Sequence, residues 1–259
     1  MKIKMPAFLL NYLVVVLAAC GGGSSGPPDL TLPPPPPLPS PPPPLKVGGI
    51  WEGTLDESAP GSMRSTIAII DERGNGRLGT GSQYVFQVPR NSFTSEITVY
   101  AAPGRIFLSG NTVESGTASG TVVERDSFNM SYDMPNHTTG TVSMVYNSDL
   151  YERTSTLTKT SGMWGLGSTV FTIESNGTIN GQDSSGCTYN GRISVFNALY
   201  NAYALSIDVR LCFGLSGLYT GTAYINDQDV APSGEVITGT IYLHMNSDNN
   251  AMYRALHKL

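Results

Sequence analysis

Three histidines and three cysteines carry all the imidazole and thiol chemistry open to this 259-residue chain, and their spacing argues against most of it. His137, His244 and His257 stand far apart, and none has a companion at metal-ligand spacing. His244 alternates in phase with Thr240 and Tyr242, which predicts a solvent-facing side chain rather than a catalytic base. Gly74-Asn75-Gly76-Arg77-Leu78-Gly79 spells the dinucleotide fingerprint G-x-G-x-x-G. That fingerprint works only where a strand turns into a helix whose N-terminus holds a pyrophosphate, and here more strand-like sequence follows. A hairpin with positive φ at Asn75 and Gly76 explains the same residues. The G-x-S-x-G from Gly22 to Gly26 lies among glycine and serine, with no strand before it or helix after it to build a hydrolase elbow. Acidic residues group only loosely, as Asp71-Glu72, Asp227 with Asp229, and Asp248, without EF-hand spacing. No catalytic residue, metal site or cofactor is expected from these patterns.

The third kind of chemistry is at the N-terminus. Met1-Lys2-Ile3-Lys4 opens an apolar run from about Ala7 to Leu17, and Leu17-Ala18-Ala19-Cys20 closes it. These residues resemble the lipobox of Gram-negative bacterial lipoproteins. The resemblance implies a signal peptide over 1–19 and a Cys20 that carries a diacylglyceryl thioether and becomes the mature N-terminus. With Gly21 after the cysteine, it also implies sorting to the outer membrane. The run is shorter than the roughly 20 residues a spanning helix needs and is broken by Asn11, so it reads as a signal rather than a transmembrane anchor. Acyl chains in number hold a protein far more firmly than one.

Residues 20–46 then form a tether. Glycine and serine run from Gly21 to Gly26, and twelve of the eighteen residues from Pro27 to Pro44 are proline. Polyproline II at about 3.1 Å per residue makes this a spacer of roughly 50 Å.

Once Cys20 is assigned to lipid, Cys187 and Cys212 remain in an exported, oxidising compartment, where a disulfide is expected. Closing a loop of about 26 residues stabilises by roughly 3.5 kcal/mol in the chain-entropy model. Alternation raises a difficulty. Cys187 is in phase with Tyr189 and Ile193, whereas Cys212 is out of phase with Leu205, Ile207, Val209 and Leu211. A bulge near Gly191 or Gly214, or pairing at a barrel rim, is required.

Beyond Lys46 the chain repeats itself. Asn75-Gly76 precedes Gly116, and Asn176-Gly177 precedes Gly217, by the same 41 residues; Gly140-Thr141-Val142 and Gly239-Thr240-Ile241 each lead after 7 residues to Asn-Ser-Asp. Each half begins with Gly-x-Trp, at Trp51 and Trp164. Two tandem units follow, 47–159 and 160–259. Their period is two. Ile67 and Ile69, Phe93 and Ile97, Val142 and Met144, Phe171 and Ile173, and Ile241, Leu243 and Met245 alternate with residues such as Ala68, Glu96 and Ser143. About eight short antiparallel strands fit each unit, and closure into an up-and-down barrel removes the exposed edges. The fold class is therefore all-β, two small barrels after a proline-rich linker. Gly-x-Trp on a first strand with an arginine on the last resembles the calycin barrels, the group of lipocalins and streptavidin-like proteins. The resemblance implies that Arg153 covers Trp51 and Arg254 covers Trp164 at the closed ends, with Arg254 sharing a face with Met252 and Leu256.

The net charge is −5, or −7 once Lys2 and Lys4 are removed, and there is no basic run to suit nucleic acid. The expected function is a non-enzymatic binding or interaction module, held on the outer membrane by its lipid and engaging an envelope or extracellular protein. A calycin-type carrier of a small apolar ligand and a glycan-acting envelope enzyme are the alternatives.

Overall fold

The computed structural model describes residues 46–57, 63–79, 83–101, 112–135, 139–227 and 239–259. The signal segment, Cys20, the proline tract, His137 and the loop tip after Glu57 lie outside them. Among the described residues, sixteen strands close into two antiparallel barrels of eight.

The first barrel takes β1 (Gly49–Glu57), β2 (Arg64–Ile70), β3 (Asn75–Gly79), β4 (Gln83–Gln87), β5 (Ser92–Ala101), β6 (Thr112–Val123), β7 (Ser127–Asp133) and β8 (Thr139–Tyr146). Each strand pairs with its sequence neighbours, and β1 returns to β8 from Trp51↔Tyr146 to Glu57↔Gly140. The second barrel repeats this with β9 (Gly162–Leu166), β10 (Thr169–Ile173), β11 (Thr178–Gln182), β12 (Thr188–Val195), β13 (Tyr203–Arg210), β14 (Gly217–Asn226), β15 (Thr240–Asn246) and β16 (Ala251–Lys258). Its seam is short, with His257↔Gly165 and Lys258↔Trp164.

Eight tilted strands leave a lumen just wide enough for their own side chains, and both lumens are filled that way. Trp51, Leu55, Ile70, Phe86, Phe93, Ile97, Phe128, Val142 and Met144 pack in the first, with Phe128 within 6.1 Å of the rings of Trp51, Phe86 and Phe93. Trp164, Phe171, Tyr189, Ile207, Tyr219, Leu243, Met252 and Leu256 pack in the second. Trp51 and Trp164 thus stand alike, fully buried on the first strand of each barrel. Gly120 and Gly221 also correspond, on the two sixth strands. A Cβ there would lie 2.2 Å from the Asn129 carbonyl oxygen and 2.0 Å from that of His244, so only glycine lets the sixth and seventh strands approach this closely.

Two sequence matches used to align the halves do not correspond in space. Gly140-Thr141-Val142 opens an eighth strand, whereas Gly239-Thr240-Ile241 opens a seventh. The second-strand hairpins turn at Gly74 (φ +84°) and Gly177 (φ +86°), so the positive φ expected at Asn75 and Gly76 falls at Gly74 instead. The Asp71 carboxylate sets this turn by accepting from the Arg73 and Asn75 backbone N–H groups, at 2.8 and 2.9 Å.

The link between the barrels holds two single-turn helices that strand periodicity did not foresee, α1 (Ser148–Tyr151) and α2 (Leu157–Thr160). Asn147 caps the first, its Oδ1 accepting the Leu150 N–H at 2.8 Å. The barrels meet along their outer faces. Ile50, Ile69, Leu150 and Tyr151 pack with Ala202 and Tyr224, and Ile67, Tyr146, Tyr200 and Tyr242 flank them. On β2 this places Ile67 and Ile69 against the second barrel while Ala68 and Ile70 enter the lumen. Asn201 clamps the joint. Its Nδ2 donates to the carbonyls of Leu150 and Ile225, at 2.9 and 2.6 Å, and its Oδ1 accepts the Ile225 N–H at 3.1 Å.

Candidate functional site

Arg153, expected to cover Trp51, does other work. Helix capping at Asn147 ends β8 before it can carry Arg153 back to Trp51, so Arg153 sits in the link and ion-pairs with Asp227 of the second barrel. Trp51 meets Tyr146 edge-on at 5.4 Å. In the second barrel, Lys258 is the residue in register with Trp164, and its Nζ lies 5.5 Å from the indole centroid. Arg254 lies four residues earlier on β16. It shares the lumen with Met252 and Leu256, as its phase required, and is buried beside Tyr189. Burial lowers its pKa to about 10, and the Tyr189 hydroxyl opposes that shift. Tyr189 donates in turn to Asp183 Oδ2 at 2.9 Å.

Cys187 and Cys212 are bonded to each other, with Cα atoms 4.7 Å apart. The phase difficulty is resolved at Leu211, whose φ is +56°. Parity alone would turn Leu211 inward. The left-handed residue shifts the pleat by one, so Leu211 is 78% exposed while Cys212 is buried against the second core. Asp183 lies within 4.8 Å of both sulfurs, but sulfurs joined in a disulfide are not thiolate ligands. Its carboxylate serves the β11–β12 turn instead, accepting from Ser185, Cys187 and Tyr189. Desolvation would raise the Asp183 pKa; these hydrogen bonds outweigh it and hold the group below its ordinary value.

The disulfide therefore staples the β11–β12 turn to the β13–β14 loop, and it does so under an apolar tip. Phe213 is wholly exposed, with Leu211 before it and Leu218 after it both directed to solvent. The loop beneath is held by its own polar contacts. Ser216 Oγ donates to the Cys212 carbonyl at 2.8 Å, Tyr219 Oη donates to the Leu215 carbonyl at 2.8 Å, and Asn250 Nδ2 donates to the Gly214 carbonyl at 3.2 Å.

A concavity of about 590 Å³ opens between the barrels. Asn75, Arg77, Val85, Gln87, Glu96 and Thr98 line it from the first barrel, and Phe196, Ala204, Thr220 and Thr222 from the second. At its edge the Arg73 guanidinium sits 5.6 Å from the Phe196 ring centroid. Arg77 Nε donates to Asn246 Oδ1 at 3.1 Å, and burial lowers the Arg77 pKa against the opposing charge of Asp71. His244 is buried at the joint between the barrels, contrary to the solvent-facing expectation. It does point outward from its barrel, as its phase required, but the first barrel covers that face: a Cβ on Gly79 would come within 3.3 Å of the imidazole. Burial, helped by the charge of Arg77, lowers its pKa to about 3. His257 accompanies Thr240, its Nδ1 3.1 Å from Thr240 Oγ1.

Sequence reading passed over Arg77, Gln83, Thr222 and Phe213. Only the phase slip between Leu211 and Cys212 carried a signal, since it required the chain to turn out of the pleat there. A scan against protein-family models finds none that matches this chain, and a search of curated proteins finds no relative.

Proposed function

We propose that this protein is a lipid-anchored lipoprotein of the outer membrane and a non-enzymatic binding module, presenting the tip of its second barrel to an envelope or extracellular protein. The lipobox-like residues ending at Cys20 and the proline-rich tether support the anchor and the reach. The observation that carries the binding role is the tip itself. Leaving Leu211, Phe213 and Leu218 in water forgoes roughly 1.5–3 kcal/mol for each side chain that a partner would bury. Holding Leu211 in the left-handed region costs about 1–2 kcal/mol more. A disulfide and three loop hydrogen bonds maintain this arrangement, which is preorganisation for a contact. A carrier with its ligand in a lumen draws no support from barrels filled by Trp51, Phe128, Trp164 and Tyr219.

The test is crosslinking in intact cells with the anchor retained, comparing the native chain with Phe213→Asp. The expected result is a crosslinked partner that the variant loses while remaining in the membrane fraction, whereas Cys20→Ser leaves that fraction. An identical crosslinking pattern from the Phe213→Asp chain would refute the assignment of the tip.

A further inference from the structure

We propose that the cleft between the barrels binds a small acidic ligand, a carboxylate or phosphate on a hydroxylated body of about monosaccharide size, with Arg77 and Thr222 receiving the acid group. This site is separate from the apolar tip, and the inference does not rest on the tip's role.

The starting point is Thr222, which lines the cleft, and the joint between the barrels beside it. Thr222 is buried, and its Oγ1 has no hydrogen-bond partner. In register beside it, His244 has neither ring nitrogen partnered. Gln83, fully buried and in register with the Gly79 that supports His244, has both amide atoms unpartnered. Each such group costs about 1–3 kcal/mol when buried and unmade. Five unpartnered polar atoms gather at this one joint, and Thr222 brings one of them to the cleft, which calls for an occupant.

The charge of that occupant follows from Arg77. Its Nε is used by Asn246, yet among the described residues no carboxylate comes within ion-pairing distance of its guanidinium. The nearest acid is committed elsewhere, because Asp71 accepts from the Arg73 and Asn75 backbone N–H groups and from Asn75 Nδ2, at 2.8 to 2.9 Å. A partly buried guanidinium without an anion suits the fork geometry of a carboxylate or phosphate. Arg73 supplies a second cation at the edge, over Phe196. The lining also holds two carboxylates, Asp71, which is committed to its turn, and Glu96, while Asn75, Gln87, Thr98 and Thr220 offer amides and hydroxyls to a polyol, and about 590 Å³ falls within the range of small-ligand pockets.

Isothermal titration of the mature chain with glucuronate, N-acetylneuraminate and glucose 6-phosphate, against neutral glucose, tests this. Saturable binding of at least one acid and none of glucose is expected, and the responding probe separates carboxylate from phosphate. Arg77→Gln should weaken binding by more than about tenfold. The isosteric Thr222→Val should weaken it by about fivefold while raising the unfolding midpoint of the unliganded protein, because it removes a buried hydroxyl without a partner. That opposition guards against a variant that merely disturbs the fold. Failure of all three acids to bind, equal binding of glucose, or acid binding untouched by both substitutions would overturn the proposal.

Discussion

Acid should weaken this protein through His244, and the size of the effect can be worked out. The imidazole is buried at the joint between the barrels, facing Arg77 from β3, Tyr224 from β14 and Tyr253 from β16, with no carboxylate in that set. Burial first, and then the charge of Arg77, lowers its pKa from 6.5 to about 3. In the unfolded chain it titrates near its ordinary value, so between these limits the unfolded state binds more protons. Stability is therefore fully present above pH 6.5 and declines as pH falls toward 3, at up to about 1.4 kcal/mol per pH unit. At pH 5 the loss from this residue alone is about 2 kcal/mol, and at pH 3 it reaches about 4 kcal/mol. Urea denaturation of the native chain and of His244→Leu, across pH 7 to 4, isolates the contribution, because the variant keeps every other titrating group. The difference in unfolding free energy should shift in favour of the leucine variant as pH falls. A difference that stays constant over that range would show that His244 is neither buried as described nor depressed in pKa, and with it the close fit of the joint would fail.

Two further outcomes test the architecture. Asn201→Ala removes three hydrogen bonds and strands the Ile225 N–H and the Leu150 carbonyl, so it should cost about 3–5 kcal/mol in urea denaturation; a loss under about 1 kcal/mol would refute the clamp. Replacing Cys187 and Cys212 together by Ala should destabilise the second barrel by roughly 3.5 kcal/mol and leave the first almost unchanged. Hydrogen exchange resolved by barrel measures this, and equal loss of protection in both would contradict a staple confined to one.

Much of the fold was legible because alternation and turns are local. Phe171, Ile173, Leu243 and Met245 enter a lumen where the period of two placed them, and the two Gly-x-Trp starts mark the two first strands. The internal alignment of the halves was less secure. The match of Gly140-Thr141-Val142 to Gly239-Thr240-Ile241 joined an eighth strand to a seventh, since antiparallel strands of one barrel share the same alternation and hairpin chemistry. Spacing alone does not distinguish neighbours in a meander. The Gly120 and Gly221 pair does, because both answer one steric demand, the close approach of the next strand's backbone.

The cleft was illegible for a reason built into the same periodicity. Alternation divides a strand into a lumen face and an outer face, and it cannot say what lies against the outer one. Ile67, Ile69, Arg77, Gln83, Thr222 and His244 all point away from their own lumens, yet each lies at or beside the joint between the barrels. A polar residue there, such as Gln83 or His244, has the sequence signature of a solvated surface and the energetics of a core. The exposed face that does stay in water differs in kind. Leu211, Phe213 and Leu218 are apolar residues that could have been turned inward, and one residue in a left-handed conformation turns Leu211 out while a disulfide beneath it goes in. The two surfaces thus break the expected pattern in opposite senses, polar groups sealed between barrels and apolar groups held in solvent, and these are the places where packing alone gives no reason for the residues chosen.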